Sequence, residues 1–359
     1  MSIPDLTLVT AVYDLTKYHP GARPLEKSLE QVLPLMSVPC YLVIFGDAET
    51  IPKLKEMRGV YAPLTEFREL PIEKWWTFPF INRIKRNREI YWATRDERTC
   101  AENHALMCNK FDFVLQIIED NPFKTRKFGW IDAAAKKICE DFDPAKLLFV
   151  LDHVTEKFHL QILNVVDKKY KAPEMKREYY QTYRWLMCGS FFTCGTAIGK
   201  AILNRLKILF IQTTAMGFGH ADEMLYLEIL DEFYDDIVRS YGDYGQILNN
   251  FIMITRNVEY IYTAIIMGYN KMNQLKELWQ CTTHVLKCLD DHVCWVKPET
   301  YLEILFLNYI ATFYQKREAA SAVVERIRKM CRENPAINTA YLKNREFYDR
   351  QLVFAEKNK

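Results

Sequence analysis

A carboxylate stands at the end of a short apolar run in the segment Gly129–Asp132, where it could take part in chemistry. Asp132 follows residues typical of a buried strand, and ligands of α/β sheets bind at the carboxyl ends of strands. Such a carboxylate can hold Mg²⁺ or Mn²⁺ beside phosphate oxygens, because both ions prefer oxygen ligands and leave positions for substrate and water. The alternative is that Asp132 caps a helix beginning at Ala133.

A histidine and two acids follow a flexible Gly-x-Gly segment at residues 217–223. His220 could supply a metal ligand, and Asp222 or Glu223 could act as a general base. The acids also suit the start of a helix, where negative charge is favourable, and this alternative applies most to Glu223.

Two further segments contain glycines that could bring the backbone close to a ligand. At 188–196, Gly189 and Ser190 allow a close approach, although a bend packed under a helix would need the same small residues. At 241–245, Asp243 could reach a ligand hydroxyl, and a plain turn is the alternative.

A basic stretch could bind phosphates or form a solvated helix face. It consists of Arg83, Lys85, Arg86, Arg88, Arg95 and Arg98.

The hydrophobic pattern predicts that these segments belong to an α/β sheet. Leu6–Val12 and Cys40–Phe45 are short apolar runs, as expected for buried parallel strands. Pro24–Leu35 between them has helical spacing, so the three segments form a βαβ unit. Further elements are predicted on the same grounds. They are a helix at 97–118, strands at 128–131, 147–151 and 158–165, and a helix that Thr196 caps.

Strand patterns stop near residue 250, and the rest of the chain has helical spacing. Apolar residues recur in this way over 275–289, 301–313 and 320–330, which predicts an antiparallel helical layer. A chain of 359 residues suits two domains, and we place them at 1–250 and 251–359. The predicted fold class is α/β, with a mixed, Rossmann-related sheet and flanking helices, followed by an all-helical domain.

Composition and charge disfavour several classes of protein. A net charge of +2 gives no field to hold nucleic acid, and no glycine-rich fingerprint of a dinucleotide-binding oxidoreductase follows the first strand. The N-terminus lacks a signal-peptide pattern, and no run predicts a transmembrane segment. The 10 cysteines form no CxxC pairs and lie mostly in apolar stretches, which predicts reduced, buried thiols and a cytoplasmic location.

Taken in order, the segments resemble those of the HtrL/WlaTC-type glycosyltransferases, a bacterial and large-DNA-virus group with a GT-A fold. The resemblance covers about residues 6–250, and its most specific part is Trp130–Ala133 with Lys110 upstream. The helical region after 250 has no counterpart in it. The matching segments are Leu8–Asp14, Asn109–Phe111, Asn121–Phe123, Phe128–Ala133, Gly189–Gly195, Asp222–Glu223 and Gly242–Tyr244.

The resemblance implies a GT-A-like catalytic domain with a nucleotide site at the ends of the strands. Asp132 corresponds to the last Asp of the metal-binding DxD motif, and Trp130 stands where the first Asp, the usual ribose contact, is expected. Nucleotide contacts are implied for residues on or near these strands. They are Thr10, Ala11, Tyr13, Asp47, Lys110, Trp130 and Asp132.

The resemblance also implies where the sugars and the catalytic group lie. Gly189 and Ser190 match a loop on the donor-sugar or acceptor side, and Asp243 is placed with them as a sugar contact. Asp222 or Glu223 matches the catalytic carboxylate, which would act as the base in an inverting reaction.

The implied activity is transfer of a sugar from a nucleotide-diphosphate sugar, with a UDP-sugar favoured, to a hydroxyl of a glycan or glycoconjugate. The implied cofactor is Mn²⁺ or Mg²⁺ on Asp132 and His220. The implied location is the cytoplasm, or the virion or host cytoplasm if the protein is viral. A competing interpretation is a non-catalytic interaction protein with a degenerate GT-A domain and a partner-binding helical domain, which Trp130 favours. Sugar, acceptor, linkage, stereochemistry and oligomeric state stay open.

Overall fold

The structure is a computed structural model that describes residues 3–90, 100–134, 138–182, 184–218 and 222–357. Contacts divide the chain into two compact units. The first consists of Met1–Ser240 and Tyr244–Ile252, and the second of Tyr241–Asp243 and Met253–Lys359. This division falls close to the boundary predicted after residue 250.

Seven strands in the described residues form one mixed sheet, as the sequence predicts. They are β1 (Leu6–Val12), β2 (Tyr41–Gly46), β3 (Thr65–Glu69), β4 (Lys127–Ile131), β5 (Phe158–Ile162), β6 (Phe191–Gly195) and β7 (Ile237–Tyr241). Their order across the sheet is β3-β2-β1-β4-β6-β5-β7. The neighbours from β3 to β4 are parallel, whereas β6 is antiparallel to both β4 and β5.

Helices flank this sheet in the first unit. They are α1 (Leu25–Met36), α2 (Thr50–Arg58), α3 (Ile81–Ile90), α4 (Ala101–Asp120), α5 (Pro144–His153), α6 (Lys176–Gln181), α7 (Thr196–Ala215), α8 (Tyr226–Glu232) and α9 (Ile247–Asn250). The longest of them, α4 and α7, have 20 residues each and pack against one another.

The strand order creates a switch point between β1 and β4. From β1 the chain moves outward to β2 and β3, and it then returns to form β4 on the opposite side of β1. Because β1 and β4 are parallel, their carboxyl ends lie at the same edge of the sheet. Open α/β sheets bind ligands in the crevice at such a point.

The best-predicted elements are those buried on both faces. All seven residues of β1 are buried, which explains the continuous apolar run at Leu6–Val12. The strand predicted at Cys40–Phe45 and the helix predicted at Pro24–Leu35 are each shifted by one residue, a shift that lies within the uncertainty of any element end.

The strand predicted at 147–151 is wrong, because these residues lie within helix α5. Asp143 caps this helix, since its carboxylate accepts a hydrogen bond from the backbone N–H of Ala145 at 2.8 Å. Pro144 occupies the first turn, where a missing N–H does no harm. A short apolar run fits a buried strand and a helix face equally well. The signal that distinguishes the two in this segment is the Asp143 cap followed by Pro144.

The segment that carries Gly189 continues into a strand that was not predicted. Residues 191–195 form β6, which is buried throughout and pairs with β4, whereas Gly189 and Ser190 form the turn that precedes it. Thr196 begins α7 but does not cap it, because the N-cap is Gly195 and no side-chain cap hydrogen bond forms.

In the second unit, the described elements from Met253 onward are helices. They are α10 (Val258–Tyr260), a π-helical segment (Ile261–Ile266), α11 (Met267–Lys271), α12 (Leu275–Asp290), α13 (Pro298–Gln315), a 3-10 helix (Arg317–Ala319), α14 (Ala320–Glu333), α15 (Pro335–Lys343) and α16 (Arg345–Lys357). Across the whole chain, all ten cysteines are free thiols and eight of them are buried. No helix within the described ranges is long and apolar enough to cross a membrane.

Candidate functional site

A cavity of about 260 Å³ lies at the carboxyl ends of β1 and β4, at the switch point of the sheet. Its walls come from the segment after β1, the first half of α4 and the segment after β4. Of the predicted site residues, five line it. They are Ala11, Tyr13, Lys110, Trp130 and Asp132.

Strand β4 delivers Trp130 and Asp132 to this cavity together. Residues two apart along an extended chain point to the same side, which brings the two side chains into contact. The indole Nε1 of Trp130 donates a hydrogen bond to Asp132 Oδ1 at 2.6 Å, and the backbone N–H of Asp132 donates to Ser190 O at 2.8 Å. The side chain of Asp132 is 36% exposed. Trp130 thus holds the carboxylate of Asp132 in place.

Helix α4 carries Lys110 to the inner end of the cavity. Its side chain is only 2% exposed, and its Nζ donates a hydrogen bond to Gly189 O at 2.7 Å. The same Nζ lies 3.0 Å from Asp222 Oδ2 and 3.8 Å from Asp132 Oδ1. A charge buried to this degree must be paired. Lys110 therefore connects the cavity carboxylate, Asp132, with the fully buried carboxylate, Asp222.

Gly189 has a steric reason to be glycine. A Cβ built at this position would lie 2.3 Å from Asp222 Oδ2, far inside the contact distance of two heavy atoms. Because glycine has no side chain, the carboxylate of Asp222 can approach the backbone here. The carbonyl oxygen of Gly189 also accepts a hydrogen bond from Lys110 Nζ. Gly189 thus contributes packing space and a backbone oxygen to the cluster.

Burial sets the ionisation of the carboxylates. It raises the pKa of Asp222, against the attraction of Lys110, and burial followed by repulsion from Asp222 raises the pKa of Glu223 well above its usual range. Burial lowers the pKa of Lys110, but the carboxylates, Asp222 foremost, outweigh this effect and raise its pKa overall. The carboxylates thus keep Lys110 charged, whereas burial favours the protonated form of both Asp222 and Glu223.

The other predicted residues that the structure describes do not belong to the cavity lining. Thr10 is fully buried within β1. The Asp47 carboxylate accepts hydrogen bonds from two backbone N–H groups at the start of α2, which is a capping role. Ser190 meets the cluster through its backbone oxygen. Asp243 belongs to the second unit, and His220 lies outside the described residues.

Sequence reasoning missed several polar and apolar residues of the cavity wall. Asn103, Leu106 and Met107 line the cavity and precede Lys110 on α4 at the spacing of one helix face. Projecting that face from Lys110 would have found them. No comparable pattern marks two other lining residues. Arg23 precedes α1, and Ser28 lies in the first turn of that helix.

The donor set at Asp132 suits a divalent cation in one specific way. Asp132 Oδ1 already accepts the Trp130 N–H, and the described part of the chain has no group of three His, Cys, Asp or Glu side chains that could hold an ion. Asp132 thus offers an ion a single carboxylate, and an ion held there would take most of its ligands from a bound diphosphate and water, as Mg²⁺ can. The single positive charge of Lys110 lies close to both Asp132 and Asp222. A cation at Asp132 would therefore add positive charge beside two carboxyl groups.

Fold and site together define an α/β protein with a ligand crevice at the switch point of its sheet. No protein-family model and no curated protein matches the chain. Among solved structures, the apo form of mouse xyloside xylosyltransferase 1 is similar, with a TM-score of 0.37 and 8% sequence identity over 70% of this chain and 95% of that chain. So distant a likeness does not bear on what this chain binds or catalyses, and membership of the HtrL/WlaTC-type group stays a prediction.

Proposed function

We propose that this protein is a glycosyltransferase that takes its sugar from a nucleotide-diphosphate donor, with a UDP-sugar favoured. The observation that carries the proposal is the crevice between β1 and β4, in which Lys110 and Asp132 lie side by side. A nucleotide bound at a switch point meets the carboxyl ends of both strands. The mixed sheet is compatible with the GT-A-like fold that the sequence predicts.

The nucleoside end of the donor would lie against the segment after β1. Tyr13 lines the cavity there, its hydroxyl donates to Leu70 O at 2.9 Å, and its ring meets Trp75 edge-on at 4.7 Å. Because these contacts fix the ring, Tyr13 offers a rigid apolar surface to a base or ribose. Burial raises the pKa of Tyr13, so its hydroxyl stays protonated.

During transfer, the bond between the sugar C1 and the diphosphate oxygen breaks, and its electron pair leaves with the diphosphate. The oxygen of the acceptor hydroxyl bonds to C1, and the hydroxyl proton passes to a base, for which the sequence predicts Asp222 or Glu223. The charged ammonium of Lys110 would stabilise the negative charge that grows on the leaving group. A Mn²⁺ or Mg²⁺ ion held by Asp132 would supply further positive charge when bound.

The burial of Asp222 places a condition on its predicted role as the proton acceptor. Its side chain is fully buried and contacts Lys110, so it could reach an acceptor hydroxyl only after this ion pair opens. Glu223 is also buried, with 7% of its surface exposed. The base role of these two residues stays a prediction.

Nucleotide-sugar binding is expected to raise the unfolding temperature of the protein. A ligand that binds the native state alone stabilises it by about 2.7 kcal/mol at 100 times its Kd. The measurement is thermal unfolding with a panel of nucleotide sugars, with and without Mn²⁺, together with an assay of slow donor hydrolysis. Asp132→Asn should lose the stabilisation, whereas Asp152→Asn, the same change at an exposed position on α5, should keep it.

The outcomes of this experiment separate the candidate functions. If no nucleotide sugar stabilises the wild type, the glycosyltransferase proposal fails. Stabilisation that Asp132→Asn leaves unchanged would place the binding site elsewhere. Donor binding without any hydrolysis or transfer would favour the non-catalytic alternative that Trp130 at the first DxD position suggests.

A further inference from the structure

We infer that Lys110 donates a hydrogen bond to the diphosphate of the bound donor and that Asp222 is the positioning residue that holds Lys110 in place. This inference rests on the proposed function. It assigns to two residues the recognition of the donor's diphosphate, and it gives Asp222 a role other than that of the base.

The geometry leaves one N–H group of Lys110 for a ligand. A lysine ammonium has three N–H donors. One donates to Gly189 O at 2.7 Å, and a second can face Asp222 Oδ2, an ion-pair partner that lies 3.0 Å from the same Nζ. The distance from the same Nζ to Asp132 Oδ1 is 3.8 Å, which is too long for a hydrogen bond. Since Lys110 and Asp132 both line the cavity, a ligand oxygen beside them can accept the third N–H.

The position of Asp222 suits support rather than contact with substrate. Its side chain is 0% exposed and lies directly against the backbone of Gly189. Lys110 lines the cavity, whereas Asp222 does not. Because a buried ammonium without a partner is strongly unfavourable, Asp222 keeps the Lys110 side chain at the end of the cavity. Removing the carboxylate should therefore weaken diphosphate binding through Lys110.

A comparison of UDP with uridine isolates the diphosphate contribution. Calorimetry measures the affinity for UDP and ligand-observed NMR the affinity for uridine, in the wild type and in Lys110→Met. The variant should lose about 10- to 100-fold in UDP affinity, as expected for one charge-assisted hydrogen bond, and less than about twofold in uridine affinity. Lys53→Met, the same change at an exposed lysine of α2, should leave both affinities unchanged.

Asp222→Asn tests the positioning role with the same two ligands. If Asp222 holds Lys110, the asparagine variant loses UDP affinity and keeps uridine affinity, as Lys110→Met does. If Asp222 is only the base, UDP affinity is unchanged and turnover alone falls. That second result would overturn the positioning role.

The double variant Lys110→Met/Asp222→Asn guards against misfolding of either single variant, because it buries neither charge. It should show the same selective loss of UDP affinity. UDP affinity equal to that of the wild type, or an equal loss for uridine, would refute the inference while the proposed function stands. If the wild type binds neither UDP nor a UDP-sugar, it is the proposed function that fails.

Discussion

Asparagine in place of Asp222 is expected to lower the free energy of unfolding by about 3 kcal/mol, the lower end of the range for breaking a buried ion pair. The substitution keeps the shape of the side chain and removes the charge that lies 3.0 Å from Lys110. Because Asp132 remains 3.8 Å from the ammonium, the loss is smaller than for an isolated pair. Urea unfolding near neutral pH measures the effect.

Two comparisons show whether this loss comes from the buried charge. Glu49→Gln makes the same chemical change in the exposed pair Lys17–Glu49, with a distance of 2.6 Å, and should change stability by less than about 0.5 kcal/mol. Adding Lys110→Met to Asp222→Asn should recover most of the stability, since neither charge is then buried. A wild-type unfolding curve for Asp222→Asn would show that Lys110 does not depend on this carboxylate.

Gly189→Ala is expected to lower the free energy of unfolding by about 2–3 kcal/mol, because overpacking a closed site forces neighbours out of position. The added methyl group would lie 2.3 Å from Asp222 Oδ2. Asp222 is fully buried and has no room at the surface to move into. The collision should also displace Lys110, whose hydrogen bond to the Gly189 carbonyl would be strained. Urea unfolding and UDP affinity report the two effects.

A double-mutant cycle assigns the Gly189→Ala effect to this one contact. In the background Asp222→Ala, the carboxylate is gone and the methyl group has space, so adding Gly189→Ala should have a much smaller effect than in the wild type. A coupling energy of about 1–3 kcal/mol is expected for residues in direct contact. Additive losses would mean that Gly189 is needed for another reason.

The elements around the crevice could largely be predicted from the sequence. The run Leu6–Val12 matches β1 because a parallel strand covered on both faces is apolar throughout. Asp132 was expected at the end of a strand, and it follows β4. The family resemblance points to Lys110. Its position within a helical pattern does not, because a lysine there is usually solvated. Its almost complete burial is what the structure adds.

The contacts that assemble the cluster could not be predicted, because they join distant parts of the chain. Gly189 lies against Asp222 and precedes β6, which pairs with β4, and no separate pattern in the sequence marks β6. Asp47 illustrates the opposite case. Its position after a strand suggested a ligand contact, but its carboxylate satisfies backbone N–H groups of the next helix. A carboxylate at a strand end can do either, and the local sequence does not decide between them.

The position of bound UDP tests the account most directly. A crystal structure of the protein with UDP and Mn²⁺ should place the nucleotide in the crevice between β1 and β4. It should show a diphosphate oxygen within hydrogen-bond distance of Lys110 Nζ and the nucleoside beside Tyr13. UDP bound at another place, or a diphosphate directed away from Lys110 and Asp132, would contradict the central claim that this crevice is the donor site.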